Sequence, residues 1–421
     1  MTQSDNYDRS TRRVEELEPD MVELQRRLVA LPAIGPTSGG EGERARVDLL
    51  RPMLEGWGLE VTEYRAPDPR VSCGYRPSLV ARLPGEKSGP ALWIMTHLDV
   101  VPAGPRELWH SEPHEAVVKD GLIYGRGTED NQQEMVASIH SVRALLDCGI
   151  KPKSDVYLML AADEENGSEF GADWLLKNHQ LCRLEDLVLV PDAGNEQGTM
   201  MEVAEKSIAW VKVSVTGRQS HASAPSRNAH RAGANLIVRL DERLHKKYSA
   251  KDALFSPPES TIEPTKKLGN VPNVNTIPGE DVFWFDCRML PEYRLEQVVA
   301  DFRSIAEETA EEFGVGVKVE TEQLAQAAPA TSPDAPVVRL LAEAVRGVLG
   351  RDAKPAGIGG GTVAAFFRRL GIPAVVWGRT GGRAHNPDEY CTIANMVGDA
   401  KVYLWMMLNA GGLTRACRPV N

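Results

Sequence analysis

Short apolar runs alternate with amphipathic segments through the first half of the chain, and this alternation is the feature that most limits the fold. The strand-like, mainly apolar runs lie at residues 79–83, where Arg82 is the one charged residue, and at 91–95, 156–161 and 187–190. Helical periodicity occurs at residues 20–31, 41–57, 133–146 and 170–178. Continuous apolar runs are typical of strands covered on both faces. The sequence therefore predicts an α/β fold with a mixed, mostly parallel sheet sandwiched by helices.

The pattern changes near residue 206. Residues 208–216 alternate apolar and polar side chains, as a half-exposed strand does. A helix at 232–244, a turn-rich stretch, a strand at 282–288, a helix at 295–313 and a strand at 317–322 follow. In outline this β-α-β-β-α-β order predicts an α+β, ferredoxin-like domain with two helices on one face of an antiparallel sheet.

An Ala/Pro-rich linker at residues 325–336 ends that domain, and a helix at 337–349 and a strand at 374–377 follow it. The first domain is therefore expected to resume after an inserted one. The predicted bounds are 1–206 for the first part of the catalytic domain, 207–326 for the inserted domain, and 327–421 for the second part.

Length and composition indicate two domains and limit the class of partner. At 421 residues the chain exceeds what one hydrophobic core usually supports. A net charge of −11 argues against nucleic acid or an anionic membrane as partner. No stretch reaches the roughly 18 apolar residues of a membrane span, so a cytoplasmic location is expected. The cysteines lack CxxC spacing, which indicates reduced thiols: Cys73, Cys148, Cys182, Cys287, Cys391 and Cys417.

Acidic and histidine side chains follow the predicted strands or lie in glycine-containing loops: His97, Asp99, Asp130, Glu164, Glu165, Asp192 and His385. In open parallel sheets, ligands bind at the carboxyl ends of the strands. Each of these residues alone also fits a structural role, such as a helix cap for Asp130 or a turn residue for Asp192. Their occurrence together favours a site for two metal ions.

Spacing assigns different tasks to neighbouring side chains. Residues two apart on an extended chain project to the same side, so His97 and Asp99 can converge. A carboxylate beside a metal-binding histidine fixes the orientation of the ring. Adjacent residues point in opposite directions, so one of Glu164 and Glu165 can hold a metal while the other accepts a proton from water.

These motifs carry a family resemblance that extends over nearly the whole chain. Its parts are residues 97–102 (HLDVVP), 125–130 (GRGTED), Glu164-Glu165 with Gly167-Ser168, 191–194 (PDAG) and His385. In this order they resemble the aminoacylase, acetylornithine deacetylase and succinyl-diaminopimelate desuccinylase family of dinuclear zinc metallopeptidases. One departure is that Gln132-Gln133 stands where relatives commonly have Lys-Gly, so the resemblance does not fix the subfamily.

The resemblance implies a zinc-exopeptidase-like fold with two Zn²⁺ ions per subunit. Co²⁺ and Mn²⁺ are possible substitutes, because nitrogen- and oxygen-rich sites accept several divalent ions. The implied roles are His97 and Asp192 on one ion, Glu165 and His385 on the other, Asp130 bridging, Asp99 orienting His97, and Glu164 as general base.

The inserted domain would act as a lid and as the dimer contact. Residues 217–223 (GRQSHAS) resemble the motif whose histidine, here His221, reaches a neighbouring subunit's active site, which implies a homodimer. By the same resemblance Asn275 and Arg288 contact substrate, the guanidinium binding a carboxylate. A strand-end salt bridge is the alternative for Arg288. Gly361 and Thr362 lie in a glycine loop where backbone amides can receive an anion.

The predicted function is hydrolysis of the amide bond of an N-acyl amino acid by attack of a metal-bound water. The substrate would be of the succinyl-diaminopimelate or acetylornithine type. A dipeptidase or carboxypeptidase uses the same metals and Arg288, and the sequence does not separate these activities. A catalytically silent metal-binding scaffold is a remote alternative, since no ligand or base is missing.

Overall fold

The computed structural model describes residues 3–412, so Cys417 lies outside the described part. Within it the helices are α1 Gln3–Glu16, α2 Glu18–Val29, α3 Arg44–Gly56, α4 Gln133–Asp147, α5 Ala172–Asn178, α6 Ala229–Lys247, α7 Leu295–Phe313, α8 Pro336–Leu349, α9 Ala364–Arg369 and α10 Ile393–Asn409. The strands are β1 Glu60–Pro67, β2 Tyr75–Leu83, β3 Leu92–His97, β4 Val117–Lys119, β5 Leu122–Tyr124, β6 Val156–Ala161, β7 Leu187–Val190, β8 Met200–Glu205, β9 Ser207–Thr216, β10 Ser220–His221, β11 Thr261–Lys267, β12 Thr276–Ile277, β13 Glu280–Met289, β14 Gly316–Ala325, β15 Lys354–Ile358, β16 Ala374–Val376 and β17 Tyr390–Thr392.

The chain forms two compact units. The first unit comprises Met1–Val203, Thr331–Pro355 and Thr362–Asn421, and the second comprises Ala204–Ala330 and Ala356–Gly361. Residues 356–361 lie within the predicted range 327–421 of the catalytic domain, but in the structure they belong to the second unit. The cause is pairing within that unit: the backbone N–H of Lys206 donates to the carbonyl of Ile358, and that of Gly357 donates to Leu254.

The long strands of the first unit belong to an eight-stranded sheet of order β1-β2-β6-β3-β7-β16-β8-β15. Its centre is parallel, since β3 pairs parallel with β6 and β7, and β16 pairs parallel with β7. The β1–β2, β2–β6 and β16–β8 pairs are antiparallel. The predicted mixed α/β sheet with a parallel centre is confirmed.

The parallel centre of the sheet is covered on both faces, and its strands are therefore apolar. All six residues of β3 and all four of β7 are buried. Trp93 stacks on Tyr157 with ring centroids 4.1 Å apart, and its indole N–H donates to Asp186. Burying a large apolar side chain stabilises the fold by about 1.5–3 kcal/mol. The carboxyl ends of the central strands are thereby held in one fixed place.

The second unit has a four-stranded antiparallel sheet of order β11-β13-β9-β14. With α6 and α7 the chain order is β9-α6-β11-β13-α7-β14, which confirms the predicted β-α-β-β-α-β topology. Alternate residues of β9 are buried, and they form a core with one face of each helix that includes Val211, Phe285, Leu240 and Phe302.

Some elements differ from the sequence-based expectation. Strands β1, β8 and β15 and helices α1 and α10 were not predicted, and β11 lies inside the stretch described as turn-rich. The cysteines of the described part, Cys73, Cys148, Cys182, Cys287 and Cys391, are free thiols, as predicted. In residues 3–412, every helix is too short or too polar to span a bilayer.

Candidate metal centre

The central strands bring the predicted ligands to one edge of the first unit. His97 is the last residue of β3, Glu164 and Glu165 follow β6, and Asp192 follows β7. These three strands are neighbours in the sheet, so their carboxyl ends lie side by side. Two loops complete the cluster, one before α4 that carries Asp130 and one after β16 that carries His385.

Among the residues that the structure describes, two groups of three side chains could each hold a metal ion: His97, Asp130 and Asp192 in the first, and Asp130, Glu165 and His385 in the second. In the first group His97 Nε2 lies 2.9 Å from Asp130 Oδ1 and 3.4 Å from Asp192 Oδ1. In the second group His385 Nε2 lies 3.1 Å from both Asp130 Oδ2 and Glu165 Oε2. Asp130 thus offers one oxygen to each group.

Asp99 contacts more than the histidine ring. Its carboxylate is 3.4 Å from His97 Nδ1, but its own backbone carbonyl is closer, at 3.1 Å. The carboxylate oxygens accept the backbone N–H groups of Glu164 at 3.0 Å and Glu165 at 3.1 Å. Asp99 therefore fixes the turn that carries both glutamates, which the HxD spacing alone does not reveal.

The electrostatics of the cluster favour positive charge at its centre. Burial alone would lower the pKa of His97, but hydrogen bonds to Asp130, Asp192 and Asp99 raise this pKa well above its usual value. Asp130 and Glu165 raise the pKa of His385 to about 10. Burial raises the pKa of Glu164 well above its usual value, and Asp192 adds to the rise. Carboxylates in this number repel one another unless cations lie between them.

The donor set fits a pair of divalent cations. Two imidazoles and three carboxylates are the nitrogen and oxygen ligands that zinc and similar ions take. Glu165 Oε1 is buried and has no hydrogen-bond partner among the described residues. A buried carboxylate oxygen without a hydrogen-bond partner is costly in a stable fold, and binding to a cation would offset that cost.

Sequence reasoning missed three residues that hold this cluster together. The Asn131 side chain accepts the backbone N–H of His97 and donates to Asp192 Oδ1 at 3.2 Å. The buried carboxylates of Glu129 and Glu389 bind backbone N–H groups of the two loops. Their sequence signal is a polar or charged residue beside or near a candidate ligand, and a solvated side chain gives the same signal.

The candidate substrate residues of the second unit lie in two places. His221 in β10 pairs with Thr276 in β12, and the Asn275 carbonyl accepts the N–H of Ala222, so His221 and Asn275 are neighbours. Both are exposed. Arg288 is bound by Asp286 at 2.6 Å and donates to the carbonyl of Gly359 at 3.0 Å. The structure thus joins Arg288 to the glycine loop and also shows the ion pair considered as its alternative.

The last two candidates lie at the start of α9. Gly361 ends the second unit and is exposed, whereas Thr362 begins the returning segment of the first unit and is half-buried. The carbonyl of Thr362 accepts the N–H of Ala365, so the glycine loop leads into the helix as the sequence suggests.

A mixed α/β sheet whose parallel centre leads into two groups of carboxylate and imidazole ligands is typical of a metal-dependent hydrolase. The sequence profile of Peptidase family M20/M25/M40 matches residues 93–409, and the chain belongs to this family. The protein is therefore a metal-dependent hydrolase of amide or peptide bonds, as predicted.

Alignments with related proteins cover nearly the whole chain. An uncharacterized metallohydrolase of Methanococcus maripaludis is 35% identical, over 91% of this chain and 98% of the relative. A succinyl-diaminopimelate desuccinylase of Rhodospirillum centenum is 28% identical, over 91% and 96%. The crystal structure of a tripeptidase from Staphylococcus aureus matches with a TM-score of 0.73 and 20% identity, covering 94% of this chain and 99% of that one. This structural likeness shows the fold.

Proposed function

We propose that the protein is a dinuclear metalloenzyme that hydrolyses the amide bond of an N-acyl amino acid. The observation that carries the proposal is the pair of ligand groups that share Asp130. His97 and Asp192 would hold one ion, Glu165 and His385 the other, and Asp130 both. Zinc suits this mixed set of ligands, and cobalt or manganese can replace it. When bound, the cations supply Lewis-acid polarisation of the carbonyl and a more acidic water.

Glu164 is the proposed general base. The backbone N–H groups of Glu164 and Glu165 are fixed by Asp99, and Glu164 lies near Asp192 and His97. Its carboxylate would accept the proton of the attacking water and pass it to the leaving amine as the carbon–nitrogen bond breaks. Glu165, one residue further, faces His385 instead, so the two adjacent glutamates have different tasks.

The second unit, together with Thr362 of the first, would supply substrate contacts in a homodimer. We assign His221 to the stabilisation of the oxyanion in the partner subunit's site, and Asn275, Arg288, Gly361 and Thr362 to substrate binding. Exposure of His221 and Asn275 supports this assignment because a side chain that meets substrate or a second subunit cannot be buried in its own core. Arg288 would bind the substrate carboxylate with its guanidinium fork.

An acyl amino acid is the favoured substrate class because the named desuccinylase relative covers nearly the whole chain. A panel of N-succinyl, N-acetyl and dipeptide substrates, each assayed with zinc, cobalt and manganese, tests this. The expected result is turnover of an N-acyl substrate. A chelator should abolish this turnover, and added metal should restore it. Turnover of dipeptides alone would reassign the protein as a peptidase, and metal-independent turnover would refute the metal mechanism.

A further inference from the structure

One carboxylate joins the two loops of the candidate metal centre. Glu129, immediately before Asp130 in the chain, is buried, and its carboxylate accepts the backbone N–H groups of Gly381, Arg383 and Ala384. The bond from Ala384 is 2.8 Å long. These amides lie within the four residues before His385, so a single side chain connects the segment of the shared ligand with the segment of the second imidazole.

A second carboxylate makes the reverse connection. Glu389, four residues after His385 and fully buried, accepts the backbone N–H groups of Gly127 at 2.9 Å, Glu129 at 2.9 Å and Asp130 at 3.1 Å. Hydrogen bonds from backbone N–H to a carboxylate are about twice as strong as neutral ones. Each loop is therefore held by a side chain of the other.

The loop that carries His385 depends on these bonds more than the strand that carries His97 does. Residues 381–386 lie outside helices and strands, and Gly382 and His385 have left-handed backbone conformations, with φ of 70° and 63°. A non-glycine residue in that region costs free energy and is kept there only by its surroundings. The side chain of His385 is 55% exposed, whereas that of His97 is 1% exposed.

We propose that Glu129 is a positioning residue that holds residues 381–384 so that His385 stays beside Asp130 and Glu165. Glu129 itself points at backbone amides and lies outside both ligand groups. The inference rests on the proposed dinuclear site. It predicts an unequal effect: without Glu129, the ion of Asp130, Glu165 and His385 is bound weakly, and the ion of His97, Asp130 and Asp192 is retained.

The test uses Glu129→Gln, which keeps the side-chain volume, together with Glu129→Ala. Glu115→Gln is the matched control, because Glu115 is an exposed glutamate of the same unit. Zinc binding is measured by calorimetric titration of the metal-free protein and by metal analysis, and backbone amide exchange is measured by mass spectrometry. We expect two ions in wild type, and a second ion about 10–100-fold weaker in the Glu129 variants, as for other residues that orient ligands. Amides of residues 381–384 should exchange faster, while the control matches wild type.

The outcomes separate this inference from the proposed function. Fewer than two bound ions in wild type would refute the dinuclear site, whatever Glu129 does. Two ions in wild type with unchanged affinity and exchange in both Glu129 variants would refute the role of Glu129 and leave the site standing. Equal weakening of both ions, or a large loss of thermal stability in Glu129→Gln, would show a general structural role and would also overturn the inference.

Discussion

The candidate ligands of the first unit and the candidate substrate residues of the second are held in opposite ways. His97 is buried at a strand end and bonded on both ring nitrogens. His221 is exposed, and its ring contacts Ser223, two residues away, at 2.7 Å. The first arrangement fixes geometry before any ligand binds, whereas the second leaves rotamer freedom that binding must remove. We therefore expect changes at the candidate ligands and base of the first unit to alter metal binding or the chemical step. Changes at the candidate substrate residues of the second unit should alter kcat or KM and leave the bound metal unchanged.

The largest effect is expected from Glu164→Ala. Loss of a general base typically lowers kcat by about 10²–10⁴-fold, and Glu164 belongs to neither ligand group, so metal content should stay near that of wild type. Steady-state kinetics with metal analysis measures both. Glu169→Ala, at an exposed glutamate, is the control. Loss of metal with activity retained would contradict the assignments of both glutamates.

His221→Ala tests the second unit. Removal of one oxyanion donor costs about 2.7–4 kcal/mol, or 10²–10³-fold in kcat, with no change in bound metal. If His221 serves the partner subunit, mixing the His221→Ala and Glu164→Ala proteins and allowing subunits to exchange should restore activity, since each mixed dimer has one intact site. Mixed dimers that stay as inactive as the separate variants would exclude a shared site.

Arg288→Ala should act mainly on substrate binding. Hydrogen bonds to a charged group contribute about 1.5–3 kcal/mol, so KM should rise by about 10–100-fold with a smaller change in kcat. Arg303→Ala, at an exposed arginine of α7, is the control. An unchanged KM would exclude substrate binding by Arg288 and would limit its role to the ion pair with Asp286.

The smallest effect concerns a buried histidine that no ligand group includes. His140 in α4 bonds Val136 through Nδ1, and burial lowers its pKa from 6.5 to about 4. Between these values the unfolded chain binds the proton and the folded chain does not, so the free energy of unfolding falls as the pH is lowered from 6.5 towards 4. At 1.36 kcal/mol per pH unit the loss is roughly 1–3 kcal/mol.

Urea unfolding at pH 7 and pH 4.5 measures this loss. In His140→Gln the pH dependence should be smaller than in wild type by that amount, whereas His245→Gln, at a partly exposed histidine of α6, should keep it. The same slope in wild type and His140→Gln would show that burial of this imidazole does not control the acid sensitivity.

The sequence predicted the elements in which apolar residues follow one regular pattern. Strands β6 and β7 and helix α7 were placed at their observed bounds, because an uninterrupted apolar run or a long amphipathic repeat has one reading. Strand β1 was missed since Ala66 is its one buried residue and it has no continuous apolar run; it is held in place by pairing with β2. Helix α10, with buried residues on most of its surface, has no polar face to reveal its period.

The same distinction applies to the site. Residues at or just after strand ends were predicted as ligands because strand ends in a parallel sheet converge. Glu129, Asn131 and Glu389 were missed because their partners lie 34–262 positions away along the chain, and no local pattern encodes such a contact. The hydrogen bonds of the Asp99 carboxylate to Glu164 and Glu165 also depend on the tertiary arrangement.

The central claim is most directly tested by anomalous diffraction from crystals grown with zinc. We expect two zinc peaks in the first unit, about 3.5–4 Å apart as in other two-metal sites. One would be bound by His97 and Asp192, the other by Glu165 and His385, and both by Asp130. A single peak, or peaks at other side chains while these five residues bind no ion, would contradict it.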